Sequence, residues 1–445
     1  MIKVVKFGGS SVANAAQFRK VKKIVEADPA RQFIVTSACG KESRDDHKVT
    51  DLLYLCQAHV TYGVSYQPLL DEIQAKFQRI VTALHLKTDI QGEFAKIGAL
   101  MGKDMSLDYL VSRGEYLTGL CLAEYLGAQF VDAVDVIAFR YDGSIDMEKT
   151  SGLIRQHSMA GRRMLVPGFY GAMPDGSIKV MSRGGSDITG AVIANAVDAD
   201  IYENWTDISG FMVVDPKIVK DPLPIRYITY DELRKISYMG ASVLHDDAIF
   251  PCKGKNIPIN IRNTNEPDNP GTMIMADCTA QDRADPPHFI TGITGRKDFT
   301  VITVTKSHIS SEVGFLRKAL TVFENYRVSI ESVPVSVDSF SVIVASAQVA
   351  KCLYEVVGDI NEQLHPDDVT VHEHLALVAV VGRGMKERPG MSGKLFAEFG
   401  RNRINIKTID QGADELSIMV GVENRDFEKA IRCIYDRFIK EEQHI

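Results

Sequence analysis

The chain has 445 residues, 45% of them apolar and 24% charged, with a formal net charge of −7. That length exceeds what a single core serves, so two or three domains are expected, and the dispersed basic residues argue against a nucleic-acid scaffold with a basic face. No apolar run approaches the roughly 18 residues of a membrane span, and Met1-Ile2-Lys3-Val4-Val5-Lys6 lacks a secretory apolar region, so a cytoplasmic protein acting on small molecules is expected.

In chain order, residues 4–7 read as a strand and Gly8-Gly9-Ser10-Ser11 as a turn, followed by a helix whose Phe18, Val21, Ile24 and Val25 share one face. A second β-rich run, 33–36, stops at Ser37-Ala38-Cys39-Gly40. This strand-turn-helix-strand start predicts an α/β domain with a mainly parallel sheet. Residues 50–125 read as mostly helical. Further strands are expected at 129–131, 163–166, 178–180, 199–202 and 257–261, with a helix of small residues near Ile188. The seven cysteines form no CxxC pair and read as free thiols of a reducing compartment, without a catalytic role.

The polar, turn-rich stretches 264–271 and 282–287 mark a domain boundary. Beyond them, strand 300–305, helix 314–325 and strand 340–345 recur in outline as 375–381, 393–401 and 416–420. Arg-Val-Ser-Ile after the first helix is matched by Arg-Ile-Asn-Ile after the second. The matched order predicts an internal duplication of small βαβ units.

Four motifs carry candidate chemistry. Lys6-Phe7-Gly8-Gly9-Ser10-Ser11 places a cation and a glycine pair between strand and helix, where backbone N–H groups can turn toward an anion. It is not a Walker A loop, and alone it also describes a serine-capped turn. Ser182-Arg183-Gly184-Gly185-Ser186-Asp187 joins a second glycine pair to an arginine fork suited to a carboxylate, with Asp187 able to orient a lysine or an ammonium. Asn204-Trp205-Thr206-Asp207-Ile208-Ser209-Gly210-Phe211 suits hydrogen bonding to a nucleotide, although Trp205 itself fits a core or rim position. In Ser112-Arg113-Gly114-Glu115, Glu115 either accepts from an ammonium group or is a solvated acid at a helix end.

Together these motifs, with Val49-Thr50-Asp51-Leu52-Leu53 and Val243-Leu244-His245, resemble the aspartate kinases of the amino-acid kinase family in order and approximate spacing. The resemblance implies a three-layer amino-acid kinase fold, mainly parallel, followed by two α+β ACT domains of βαββαβ type. The implied boundaries are 1–285 for the catalytic domain, 286–298 for a linker and a strand shared with the second ACT domain, and 299–373 and 374–445 for the ACT domains.

The family's roles fall on matching positions. Lys6 with Gly8, Gly9 and Ser10 would meet the transferring phosphoryl group, and Asp187 would position Lys6. Thr50, Glu115, Arg183, Gly184, Gly185 and Ser186 would hold aspartate, with Arg183 on its α-carboxylate and Glu115 near its ammonium. Thr206, Asp207, Phe211, Met212, Lys217 and Ser242 would bind ATP, which the resemblance pairs with Mg²⁺; no metal site within the protein is expected. Three positions depart from the pattern: Ser242 stands where many relatives carry lysine, Met212 where an aromatic is common, and Lys217 where arginine is usual. Lys217 or Lys255 is the candidate replacement for the missing charge.

The reaction implied is attack of the aspartate β-carboxylate on the γ-phosphorus of MgATP, giving 4-phospho-L-aspartate. A carboxylate of ordinary pKa about 4 is already ionised at neutral pH and needs no general base. The ACT tail implies an amino-acid effector at Gly314, Phe315, Leu316, Ile330 and Glu331, and a homodimer or homotetramer. Glu331 lies where lysine-binding relatives often carry aspartate, which favours lysine over threonine. Another amino-acid kinase and a catalytically silent sensor remain the alternatives.

Overall fold

The computed structural model describes residues 1–102, 105–159, 161–182, 184–240, 248–284, 289–386 and 388–440. They form two compact units, Met1–Phe211 with Pro224–Asp231 and Ser242–Ala280, and Met212–Leu223 with Glu232–Ala241 and Gln281–Ile445. Among the described residues no helix is long and apolar enough to cross a membrane.

The first unit is built on a sheet of β1 (Lys3–Phe7), β2 (Arg31–Thr36), β3 (Gln129–Phe130), β4 (Met164–Pro167), β7 (Ile201–Thr206), β8 (Tyr227–Thr229), β9 (Ile259–Asn263) and β10 (Thr272–Met275). Their order is β3-β4-β2-β1-β7-β9-β10-β8, and every neighbouring pair is parallel except β9 with β10. β5 (Tyr170–Ala172) and β6 (Ile178–Val180) form a separate hairpin. The expected strand at 178–180 therefore exists but lies outside the main sheet. β8 and β10 have no counterpart in the sequence reading; they are short runs of three and four residues beside turn-rich segments.

Strands buried on both faces need cover. The helices of this unit include α1 (Ala15–Glu26), α2 (Val49–Tyr62), α3 (Gln67–Leu84), α4 (Ile90–Leu100), α5 (Leu107–Leu126), α6 (Ala133–Val136), α7 (Met147–His157) and α8 (Gly185–Ala196), with a further short one at Phe250–Lys253. The apolar face of α1 (Phe18, Val21, Ile24, Val25) joins one core with Val5, Phe7, Ile34 and residues of α2 to α5. α8 can lie close to the sheet because its Gly190 leaves no room for a side chain, whose Cβ would meet the Tyr202 ring at 2.6 Å.

The second unit holds a six-stranded antiparallel sheet, β12-β13-β11-β14-β16-β15. Its strands are β11 (Gly292–Thr305), β12 (Ile330–Ser332), β13 (Ser339–Ala345), β14 (Asp368–Val381), β15 (Thr408–Gln411) and β16 (Ser417–Glu423). The duplication is visible in the backbone. Left-handed residues recur 76 positions apart, at Asp298 and His374, Gly314 and Gly390, and Arg327 and Arg403.

Each half borrows a strand from the other. Gly292–Arg296 pair with Leu377–Val381, whereas Phe299–Thr305 pair with Asp368–Leu375. Ile302 and Val304 point toward the helices Phe315–Asn325 and Leu353–Leu364. The opposite face carries Phe299, Ile343, Leu375, Leu377 and Ala379, with Met239 packed among them. β12 and β15 are the outermost strands, yet Ser332 Oγ donates to Asp410 Oδ2 at 2.7 Å, so the sheet curls until its edges meet.

Candidate active site

In an open parallel sheet, ligands bind beyond the carboxyl ends of the strands. β1 ends there in Lys6-Phe7, flanked by β2 and β7. Lys6 is only 7% exposed, and its ammonium lies 2.5 Å from Asp187 Oδ1 on the first turn of α8. Asn204, on neighbouring β7, donates from Nδ2 to the same oxygen at 2.8 Å. The two glycine motifs, 176 positions apart, thus meet at one ion pair. The helix N-terminus favours the carboxylate there, and Asn204 fixes its rotamer.

The loop after β1 is built by close approach. A Cβ on Gly9 would lie 2.9 Å from Ala38 O, and Gly40 N–H donates to Gly9 O at 2.9 Å. The 37–40 segment therefore forms a second wall; the sequence marked it only as the end of a strand. Gly8 N–H is used by Trp205 O at 2.9 Å, and Ser11 Oγ lies 2.7 Å from Thr264 Oγ1. Ser11 and Thr264 together tie the loop to the end of β9.

α5 delivers Glu115 to this wall. Gly114 makes that possible, since a Cβ there would come within 2.9 Å of the Ala38 side chain. Thr118, one turn on, accepts from Cys39 N–H at 3.1 Å and donates to Gly114 O at 2.8 Å, locking helix to loop. Glu115 is 5% exposed, so it is not a solvated helix-end acid, and its Oε2 has no hydrogen-bond partner. Burial pushes its carboxyl up to about 8; backbone N–H groups of Ala38 and Glu115 and the nearby Lys6 charge act against that shift. Arg113, two residues earlier and on another side of the helix, is buried against the rings of Tyr109, Tyr116 and Tyr170 at 4.7, 4.4 and 5.6 Å.

Of the other expected residues, Thr50 stands in the first turn of α2, whose Val49 N–H donates to Cys39 O at 3.2 Å. Gly184 caps α8, and Gly185 and Ser186 are its buried first residues. Thr206 ends β7 and donates to Asp207 Oδ1 at 3.1 Å. Phe211 is 3% exposed, and its N–H donates to Thr272 Oγ1 at 2.8 Å, so it is a core residue that positions backbone. Met212 and Lys217 belong to the segment Met212–Leu223 of the second unit. Arg183, Ser242 and the 243–245 motif lie outside the described residues. Lys255 is engaged with other groups: its ammonium donates to Asn195 O at 2.7 Å and to Asp198 Oδ1. Cys39 is fully buried and its thiol is pushed up to about 12 by burial, consistent with no nucleophilic role. Sequence reasoning missed Asn204, Thr118 and the 37–40 wall; polar residues inside apolar strand and helix patterns were the available signal.

A family model described as amino acid kinase family matches residues 1–263, and one described as ACT domain matches 378–438. Aspartokinase 3 of Bacillus subtilis is 35% identical over 98% of both chains. The chain belongs to the aspartokinases of the amino acid kinase family. The solved structure of Clostridium acetobutylicum aspartate kinase superposes with a TM-score of 0.90 at 44% identity, covering 98% of this chain and 99% of that one. E. coli aspartokinase III, solved in complex with aspartate and ADP, shares the fold with a TM-score of 0.75 at 24% identity, covering 98% and 99%.

Proposed function

We propose that the site at Lys6, Asp187 and Glu115 transfers the γ-phosphoryl group of ATP to the β-carboxylate of L-aspartate, giving 4-phospho-L-aspartate and ADP. The observation that carries this reading is the buried Glu115 oxygen without a partner, beside the Lys6–Asp187 pair. A buried acceptor left unmade is costly, and the α-ammonium of an amino acid satisfies it. Arg183 would take the α-carboxylate, with Thr50, Gly184, Gly185 and Ser186 completing the amino-acid pocket.

The nucleophile arrives already ionised, so the protein's work is alignment and charge stabilisation. Lys6, with the N–H groups of Gly9 and Ser10, would balance charge on the transferring oxygens, while Gly8, whose N–H is held by Trp205 O, shapes the loop. Asp187 holds the Lys6 ammonium in place and Asn204 holds Asp187. Thr206, Asp207, Met212, Lys217 and Ser242 would contact the nucleotide, with Phe211 acting through its backbone. Mg²⁺ would enter on the ATP phosphates, the usual way this ion is held in kinases.

The ACT unit is read as the sensor. L-lysine would place its side-chain ammonium at Glu331, whose Oε2 is also buried without a partner, near the turn Gly314, Phe315, Leu316 and the strand residue Ile330. E. coli aspartokinase III has been solved in complex with lysine and aspartate, sharing the fold with a TM-score of 0.76 at 23% identity over 98% of this chain and 99% of that one. The domain boundaries proposed are 1–285, 286–298, 299–373 and 374–445. A homodimer or homotetramer through the ACT domains is supported by the exposed apolar side chains Val313, Val335 and Val337. A cytoplasmic location suits seven free cysteines.

ADP release coupled to a reporter, with L-aspartate set against L-glutamate and N-acetylglutamate, tests the reading. ADP release specific to aspartate is expected; equal or greater release with either rival would overturn it.

A further inference from the structure

Helix α3 buries Leu70, Ile73, Phe77 and Ile80 in the core of the first unit, and Lys76 shares that side, one turn after Ile73 and one before Ile80. The lysine is only 3% exposed. A buried ammonium is costly unless it is paired and hydrogen-bonded, and Lys76 is both. Its Nζ donates to Gly40 O and to Asp46 Oδ2, each at 2.6 Å. Asp46 also accepts from Glu42 N–H at 2.6 Å through Oδ2 and from His47 N–H at 2.9 Å through Oδ1. Lys76 is thus the polar centre of the loop 40–48, whose base is closed by the bond from Val49 N–H to Cys39 O.

Both ends of that loop reach the candidate active site. At one end, Gly40 N–H donates to Gly9 O, and a Cβ on Gly40 would fall 2.6 Å from Gly9 C and 2.8 Å from Ser10 N. The Gly9–Ser10 peptide therefore rests directly on the residue whose carbonyl Lys76 holds. At the other end the chain runs into α2, with Thr50 in its first turn. Two more side chains of α3 meet the loop in exposed pairs: Glu72 lies 3.2 Å from His47, and Arg79 lies 3.2 Å from Glu42. Surface pairs of this kind contribute little.

We infer, on the phosphoryl-transfer reading of the site, that Lys76 is a positioning residue: through Gly40 it sets where the N–H groups of Gly9 and Ser10 point. Removing its ammonium leaves the Gly40 carbonyl and the Asp46 carboxylate without their shared donor, and the loop relieves this by moving toward water. Such a shift carries the Gly9–Ser10 peptide with it. Donors aimed at charge that develops in the transition state lose their effect when displaced by an ångström, so the loss falls on kcat more than on KM.

Steady-state ADP release by the full chain with L-aspartate and MgATP tests this. Lys76→Met keeps the stem and loses the donors. Its kcat should fall about 10- to 100-fold, with the KM for aspartate changed by less than about threefold. Asp46→Asn, a partly exposed change, should lower kcat about three- to tenfold with the same split. Arg79→Ala should leave both constants unchanged. Circular dichroism melting shows whether Lys76→Met folds; where it does not, Asp46→Asn decides. An unchanged kcat in the deciding variant, a loss carried by KM alone, or an equal loss in Arg79→Ala would overturn the inference and leave the phosphoryl-transfer reading in place. No aspartate-dependent ADP release by the unaltered chain would overturn that reading, and the role of Lys76 with it.

Discussion

Two buried carboxylate oxygens lack a partner among the described residues, Glu115 Oε2 in the first unit and Glu331 Oε2 in the second, and their surroundings differ. Glu115 has a cation nearby, but Lys6 is spent on Asp187 at 2.5 Å, so burial dominates and raises the carboxyl to about 8. Glu331 has an arginine of its own, Arg296 at 3.5 Å, which is 39% exposed while Glu331 is 9% exposed. The first site fixes its cation in the Lys6–Asp187 pair and leaves the Glu115 oxygen unpartnered. The second already has an alternative partner that a ligand must displace or share. A catalytic pocket gains from preorganisation, whereas a sensor needs two states close in energy.

Experiments that sharpen this contrast run from large effects to small. Lys6→Met should lower turnover about 10³-fold, the scale of losing a principal charge stabiliser, with circular dichroism unchanged; near-normal turnover would remove Lys6 from the chemistry. Glu115→Gln should raise the KM for aspartate about 10- to 100-fold, because a charge-assisted hydrogen bond to the ammonium is lost, with a smaller change in kcat. An unchanged KM would break the assignment. Glu331→Ala should weaken the response to L-lysine about tenfold while leaving uninhibited turnover intact, read from inhibition curves; an unaltered curve would place the effector elsewhere.

The smallest effect is on stability. In the folded chain Glu115 keeps its proton up to about pH 8, whereas unfolded it releases it near 4.5. Between those values the folded state binds more protons, so stability falls as pH rises through the window. Melting temperatures across it should decline less in Glu115→Gln than in the unaltered chain, and parallel slopes would contradict the burial argument.

The sequence was most readable where local chemistry and tertiary role agree. β1, the Gly8-Gly9 turn, α1 and the helical stretch after residue 50 follow from periodicity and turn residues, and the duplication follows from repeated order. Glu115 was found through its motif, but its depth was not, because a glutamate on a helix is exposed by default and only Gly114 hints at a close neighbour. Asn204 was invisible as a positioning residue, since an amide within the strand Ile201–Thr206 acquires its partner from α8, a contact that no local pattern encodes. The same holds for Met239, a plain methionine at the end of a helix that becomes the plug of a sheet formed more than fifty residues later. Phe211 shows the same limit from the other side: its motif points to the nucleotide, but its burial and its backbone bond to Thr272 were not legible in the sequence.

The most direct measurement incubates the chain with L-aspartate, MgATP and hydroxylamine and counts hydroxamate against ADP. One aspartyl hydroxamate per ADP, both lost together in Lys6→Met, is the predicted result. ADP formed without hydroxamate, or no dependence on aspartate, would contradict the account.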